Sequence, residues 1–168
     1  SNSDTEVILA AYDKWGTDCV SQFNGMWAFA LYDEIKDIIF CSRDRFGIKP
    51  FYYSENEDTF IFGSEIRQLL PALTAIRANK KTIIEFLFSQ RVEPYKETFF
   101  DGIFKLPGGH NLIYNISSND YIIDQYYHLI KNPNLNKKTV DEAVKTYGKL
   151  FKDAVNLRLR ADVPVGTC

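Results

Sequence analysis

Met26-Trp27-Ala28-Phe29-Ala30-Leu31-Tyr32, followed after a polar interval by Ile38-Ile39-Phe40-Cys41, is the stretch from which the fold is read. Seven apolar residues are too few for a solvated helix. The interval Asp33-Glu34-Ile35-Lys36-Asp37 has the polar character of a tight connection, so the two runs predict a hairpin. Neither strand alternates apolar with polar residues. Both faces of the pair are therefore expected to be covered, one by a second sheet and the other by helices. Burial of Trp27 and of Phe29 would each contribute ~1.5–3 kcal/mol.

Upstream, Ser3-Asp4-Thr5-Glu6 has the spacing of a capping box, and Val7, Ile8, Ala11 and Trp15 follow on one helical face until Gly16. Downstream, Arg43-Asp44-Arg45-Phe46-Gly47-Ile48-Lys49-Pro50 reads as a charged turn, closed by an ion pair between Arg43 and Asp44. A second hairpin is predicted from Phe51-Tyr52-Tyr53 and Thr59-Phe60-Ile61-Phe62, with its turn at 54–58. A short helix at 64–70, introduced by Ser64 and Glu65, should stop at Pro71. Another is expected over 81–90, with Ile83, Ile84, Leu87 and Phe88 on one face. Helix, hairpin, hairpin, helices is an α+β order rather than an alternating βαβ one.

Residues 91–106 read as irregular. The cluster Pro107-Gly108-Gly109-His110 is a turn before two short strands at 111–114 and 122–126. Residues 131–138 are polar, contain Pro133 and have no apolar period, which predicts a linker. Thr139-Val140-Asp141-Glu142 is a second capping box. It opens a helix to about Arg160 whose stripe is Val140, Val144, Tyr147, Phe151, Ala154 and Val155. The final residues, 162–168, begin an extended segment. The expected organisation is thus residues 3–130 as one domain portion, a linker at 131–138 and the start of another domain at 139–168, with Ser1-Asn2 read as a tag remnant.

Composition narrows the classes. The 168 residues carry 20 Lys and Arg against 22 Asp and Glu, so there is no basic excess for a nucleic-acid backbone. No apolar run is long enough to span a bilayer. With 13 Phe, 10 Tyr and 2 Trp, the aromatic content predicts a sizeable core. Cys19, Cys41 and Cys168 form no CxxC pair, and Cys19 and Cys41 read as small core residues in a reducing, cytoplasmic setting. Asn115-Ile116-Ser117 fits a glycosylation sequon without secretory context. His110 and His128 lack metal-ligand spacing, and His110 reads as structural. No phosphate-binding glycine loop and no serine-nucleophile elbow occur. From the residues alone, no complete active site, cofactor site or metal site is found.

Read together, five segments resemble the glutamine-hydrolysing asparagine synthetase family. They are 3–9; Phe23-Asn24-Gly25-Met26-Trp27-Ala28-Phe29-Ala30-Leu31-Tyr32-Asp33; 43–53 with its continuation Gly63-Ser64-Glu65-Ile66; Phe104-Lys105-Leu106-Pro107-Gly108-Gly109-His110; and Asp153 through Gly166. Gly108 stands where the family more commonly has a second Pro. The resemblance covers nearly the whole chain in order. It implies part of a four-layer α/β/β/α N-terminal-nucleophile sandwich, then a linker and the first helix of an α/β ATP-pyrophosphatase-type synthetase domain.

In that family a glutaminase releases ammonia, and a synthetase domain uses ATP and magnesium to activate aspartate. The resemblance assigns Asp4 to the α-amino group of substrate glutamine, a role in which a carboxylate offers charge-assisted hydrogen bonds to an ammonium. The family's nucleophile is an N-terminal Cys. Residue 1 here is Ser, and the family's pyrophosphate loop would follow Cys168. The expectation is a chain truncated at both ends: inactive alone, with no catalytic, cofactor or metal residue of its own, and with homodimerisation possible through an open sheet edge and the C-terminal stripe. Two alternatives stand beside it: part of an amidotransferase that amidates another carboxylate, such as one on a polysaccharide sugar, and a noncatalytic binding or dimerisation module.

Overall fold

The computed structural model describes residues 3–56, 59–90, 96–133, 138–160 and 164–166. Ser1-Asn2, residues 57–58 of the second hairpin turn, 91–95, linker residues 134–137, and 161–163 with Thr167 and Cys168 lie outside the described residues. The chain divides into two compact units, residues 1–128 and 129–168.

Helix α1 (Asp4–Trp15) starts at Ser3, but the capping box expected from Ser3 and Glu6 is not formed. Ser3 makes no side-chain cap bond, and its carbonyl instead accepts from the amides of Glu6 (3.1 Å) and Val7 (3.4 Å). The buried face also differs from the expected one. Ala11 and Tyr12 are buried and Ile8 packs beside them, whereas Val7 and Trp15 are exposed. The reason lies just beyond the helix, where Gly16 adopts φ +59° and turns the chain into a 3₁₀ segment, Gly16–Gln22. That segment buries Cys19 and Val20 alongside Ala11 and Tyr12.

The deciding stretch forms the expected hairpin. Strand β1 (Ala28–Asp33) pairs antiparallel with β2 (Ile38–Arg43), with Leu31 opposite Phe40 and Ala28 opposite Arg43. Four consecutive β2 residues, Phe40 to Arg43, are buried, so both faces of this strand are covered. Strand β2 gains its other neighbour from far along the chain: β6 (His110–Asn115) pairs with it, and β7 (Asp120–Gln125) pairs with β6. The order is β1-β2-β6-β7. The second hairpin, β3 (Tyr52–Glu55) and β4 (Phe60–Gly63), belongs to a separate antiparallel sheet in which β3 lies between β4 and a two-residue strand at 104–105. Strand β5 (Phe104–Lys105) corrects the irregular reading of 91–106, since Tyr52 pairs with Lys105 and Tyr53 with Phe104.

The two faces of the four-stranded sheet carry different cores. On one, Leu31 and Phe40 meet Ala11, Tyr12, Cys19, Val20 and Trp27; on the other, Cys41, Leu112 and Tyr114 meet Phe51, Tyr53 and Leu106 around the second sheet. A helical layer, a four-stranded sheet and a three-stranded sheet are thus stacked in that order, and the class is α+β with antiparallel sheets. Trp27 is buried as expected, but Phe29, on an edge strand, is only half-buried.

After β4 come α2 (Ile66–Leu69) and a 3₁₀ turn, Leu70–Ala72. The α-helix stops before Pro71, as expected, and Pro71 takes the second position of the 3₁₀ turn, where an early helical position needs no N–H. Helix α3 (Lys80–Ser89) is capped by Asn79, whose side chain accepts from the Thr82 amide. Its covered face holds Ile83 and Phe86, the latter against Phe99, while Ile84, Leu87 and Phe88 of the expected face are exposed. In the second unit, α4 (Val140–Arg158) opens with the Thr139–Glu142 capping box that its sequence predicts.

Candidate functional site

The most tightly bonded point of the first unit is the loop after β2. Arg43 and Asp44 are both buried, and the bonds that close the turn run from these side chains to backbone. Arg43 donates Nε to Lys49 O, Nη1 to Leu106 O and Nη2 to Gly47 O, each at 2.6 Å. The Asp44 carboxylate accepts from the amides of Phe46 (3.1 Å), Ile48 (3.0 Å) and Lys49 (2.9 Å). Both charges thus organise the peptide groups of the turn. A catalytic role is disfavoured by the same geometry, because the Asp44 oxygens are occupied by amides.

The turn at 107–110 is locked into this loop. The Asp44 carbonyl accepts from the Gly109 amide at 2.8 Å, and the Gly109 carbonyl accepts from Tyr126 (3.0 Å) and Tyr127 (3.2 Å). A Cβ on Gly108 would lie 2.6 Å from the Gly47 nitrogen and 2.8 Å from the Phe46 carbonyl carbon. That close approach explains why this chain carries Gly at 108. His110 Nδ1 lies 2.8 Å from the Gly108 carbonyl, a bond within the turn that fits its structural reading. Beside it, the Arg45 guanidinium sits over the rings of Trp27 (6.0 Å) and Tyr127 (5.4 Å) and donates to Phe23 O at 2.6 Å.

Asp4, the one sequence-assigned ligand residue, lies exposed in the first turn of α1, where a helix N-terminus favours negative charge. Helix α1 is fastened to the hairpin by a second polar cluster. Tyr12 OH donates to Asp33 Oδ2 (2.8 Å), and Lys36 Nζ reaches both Asp33 Oδ2 (3.0 Å) and Tyr12 Oη (3.3 Å). Asp33 Oδ1 also accepts from the Ile35 and Lys36 amides. These bonds, the Lys36 amide foremost, hold the Asp33 carboxyl down at about 2. Burial pushes the thiols of Cys19 and Cys41 up, so both are poor nucleophiles, as expected of core residues.

A feature that residue patterns did not reveal is a groove of about 390 Å³ lined by Ala28, Phe29, Ala30, Phe51, Phe62, Gly63, Ser64 and Gln68. It runs between β1 and β4, which are edge strands of their sheets among the described residues. Ser64 therefore faces an open groove as well as preceding α2, while Glu65 is the N-cap, its amide donating to Gln68 Oε1 at 3.0 Å. The available signal was the pair Ala28 and Ala30: small residues two apart on one face of a strand leave room above it. No cluster of three or more His, Cys, Asp or Glu side chains suited to a metal occurs among the described residues. No helix among them is long and apolar enough to cross a membrane.

Residues 1–127 match the glutamine amidotransferase domain family. The chain belongs to that family. This glutamine amidotransferase chain is 42% identical over 170 residues to a Methanocaldococcus jannaschii protein provisionally named asparagine synthetase [glutamine-hydrolyzing] 2, covering 99% of this chain and 32% of that protein. It is 35% identical over 167 residues to asparagine synthetase [glutamine-hydrolyzing] 3 of Bacillus subtilis, covering 98% and 26%. It is also similar to amidase chry2 of Gibberella zeae, at 31% identity over 167 residues, covering 98% and 24%. The chain thus spans about a third or less of the length of the curated relatives it matches. The similarity to asparagine synthetases seen in the five segments is thereby established across the amidotransferase domain and beyond it.

Proposed function

We propose that this chain is the later part of the glutaminase domain of an asparagine synthetase, residues 3–130, joined through a linker at 131–138 to the first helix of its synthetase domain. The observation that carries this reading is the reach of the similarity. The amidotransferase match covers 1–127, whereas the similarity to asparagine synthetases takes in 98–99% of the chain, α4 included. In the whole enzyme, glutamine supplies ammonia and aspartate is the acceptor, with ATP and magnesium acting in the synthetase domain outside this chain. The compartment is the cytoplasm. The stacked helical layer and two sheets would be three layers of a four-layer α/β/β/α sandwich, its remaining strands adding beside β1 and β4, where the groove lies open.

Within this reading Asp4 holds the α-ammonium of glutamine. Its place on the first turn of α1, a helix clamped to β1 and β2 through Tyr12 and Asp33, gives the carboxylate a rigid base. The 168-residue chain by itself is expected to release no ammonia from glutamine, since the thiols of Cys19 and Cys41 are buried and their pKa values raised. Glutaminase activity of the purified 168-residue protein above a buffer control would overturn that expectation. In the full-length enzyme, Asp4→Asn should raise the KM for glutamine by roughly tenfold or more, as loss of a charge-assisted contact does. Synthesis fed by ammonium salts should be unchanged. Equal losses with glutamine and with ammonia would remove Asp4 from the glutamine site.

A second reading makes the chain part of a related amidotransferase whose acceptor is another carboxylate, such as one on a polysaccharide sugar; similarity to a protein named as an amidase, chry2, leaves the acceptor open. Aspartate-dependent release of pyrophosphate by the full-length protein separates the two.

A further inference from the structure

We infer that Tyr12 and Asp33 are positioning residues for the α-amino group of glutamine: their hydrogen bond fixes how α1 is turned on the hairpin, and through the helix it fixes where the Asp4 carboxylate stands. This assignment rests on the reading of Asp4 as the ligand of that group. Asp4, Ile8 and Ala11 follow at steps of four and three residues, so Asp4 continues by one turn the stripe through which α1 packs on the core. Ala11 is buried and Ile8 partly buried, whereas Asp4 stands exposed past the end of the packed stripe. Turning the helix about its axis would carry the carboxylate off this line.

Apolar packing alone does not prevent such a turn, because burial is non-directional, whereas a hydrogen bond has a direction. Tyr12 supplies it. Its ring stacks on Phe40 of β2, with centroids 5.6 Å apart, and its hydroxyl donates to Asp33 Oδ2 at 2.8 Å. Asp33 is itself held, since Oδ1 accepts from the amides of Ile35 (3.1 Å) and Lys36 (3.0 Å). Lys36 Nζ lies 3.0 Å from Asp33 Oδ2 and 4.9 Å from the centroid of the Tyr12 ring. The acceptor for Tyr12 is thus built into the turn between β1 and β2. Asp4 is eight residues from Tyr12, about 12 Å along the axis, so a tilt of ~5° about this pin moves the carboxylate by ~1 Å. That displacement takes a charge-assisted contact of about 2.8 Å beyond hydrogen-bond reach.

The full-length enzyme tests this through glutamate release from glutamine, measured beside pyrophosphate release supported by ammonium chloride and aspartate. Tyr12→Phe, which keeps the ring on Phe40, and Asp33→Ala should each raise the KM for glutamine by roughly threefold or more with kcat little changed. The ammonia-supported reaction should stay as it is, and circular dichroism should show each variant folded under assay conditions. In an Asp4→Asn background neither substitution should raise the KM further, because a residue that acts by placing Asp4 then has nothing left to place. A glutamine KM unmoved by Tyr12→Phe where Asp4→Asn raises it would overturn the inference and leave the glutamine site at Asp4 standing. Rises that add in the double variants would do the same. Equal losses with glutamine and with ammonia would also overturn it, since they report a general loss of fold. If Asp4→Asn itself leaves the KM unchanged, the reading of Asp4 fails and the inference falls with it.

Discussion

Asp44 is 1% exposed and its carboxylate collects three amide protons, so a single residue fixes the course of the whole loop from 44 to 49. Asp44→Asn keeps the shape but turns one acceptor into a donor facing amide donors. Leaving buried N–H groups unmatched costs about 1–3 kcal/mol, which a shift of the urea midpoint at constant m-value would report. Gly108 is a steric counterpart on the same junction. Its nearest neighbours are backbone atoms of Gly47 and Phe46, which cannot rotate away. Gly108→Ala should therefore destabilise by about 1–3 kcal/mol, the range for overpacking. Combining the two substitutions should be non-additive, since they act on one junction. The charged turn was legible from sequence as structural. Its bonding was not, because Arg43 and Asp44 take their partners from peptide groups, and peptide groups leave no mark in a residue pattern.

The link between α1 and the first hairpin works at the level of whole elements, through Tyr12, Asp33 and Lys36. Asp33 has its pKa drawn from 3.8 to about 2 in the folded protein. A depressed carboxyl stabilises the fold fully above its unfolded value and loses that contribution as pH falls toward its folded one. Wild-type stability should thus fall between about pH 4 and pH 2 more steeply than that of Asp33→Asn. Urea midpoints measured across that window check this, and parallel slopes would show that the link carries no such charge dependence. Elements bounded by local signals, β1 to β4 and α4, were readable because Gly, polar turns and the Thr139 cap mark their ends. The bounds of α3 agree with the apolar period at 81–90, but its covered face differs from the one that period predicts. Only Phe99, reached through tertiary contact, decides that Phe86 turns inward while Ile84 and Leu87 do not. Strand β5 leaves no signal in the sequence, since two residues carry no period, and it exists through its pairing with Tyr52 and Tyr53.

For the molecule as a whole, the consequential pairing is β2 with β6, which no local pattern announces, because hydrophobic alternation shows that a strand is buried and not which strand lies beside it. This pairing makes β2 and β6 interior strands and leaves β1 at one edge of the larger sheet, while β4 is an edge of the smaller. The two edges border the same groove, so unbonded backbone groups of both sheets face one open side there. Exchange of amide protons should record that asymmetry in the isolated chain. Amides of β2 and β6 are bonded on both flanks of their strands and sit between two cores, so they should exchange only through large-scale opening. Outward-directed amides of β1 and β4 should exchange faster, through local fluctuations. If the sandwich is completed by strands from a longer protein, the same β1 and β4 amides in that protein should slow to the rates of β2 while those of β2 change little. Uniform slowing in every strand would instead mean global stabilisation, and unchanged rates in β1 and β4 would place the added strands elsewhere.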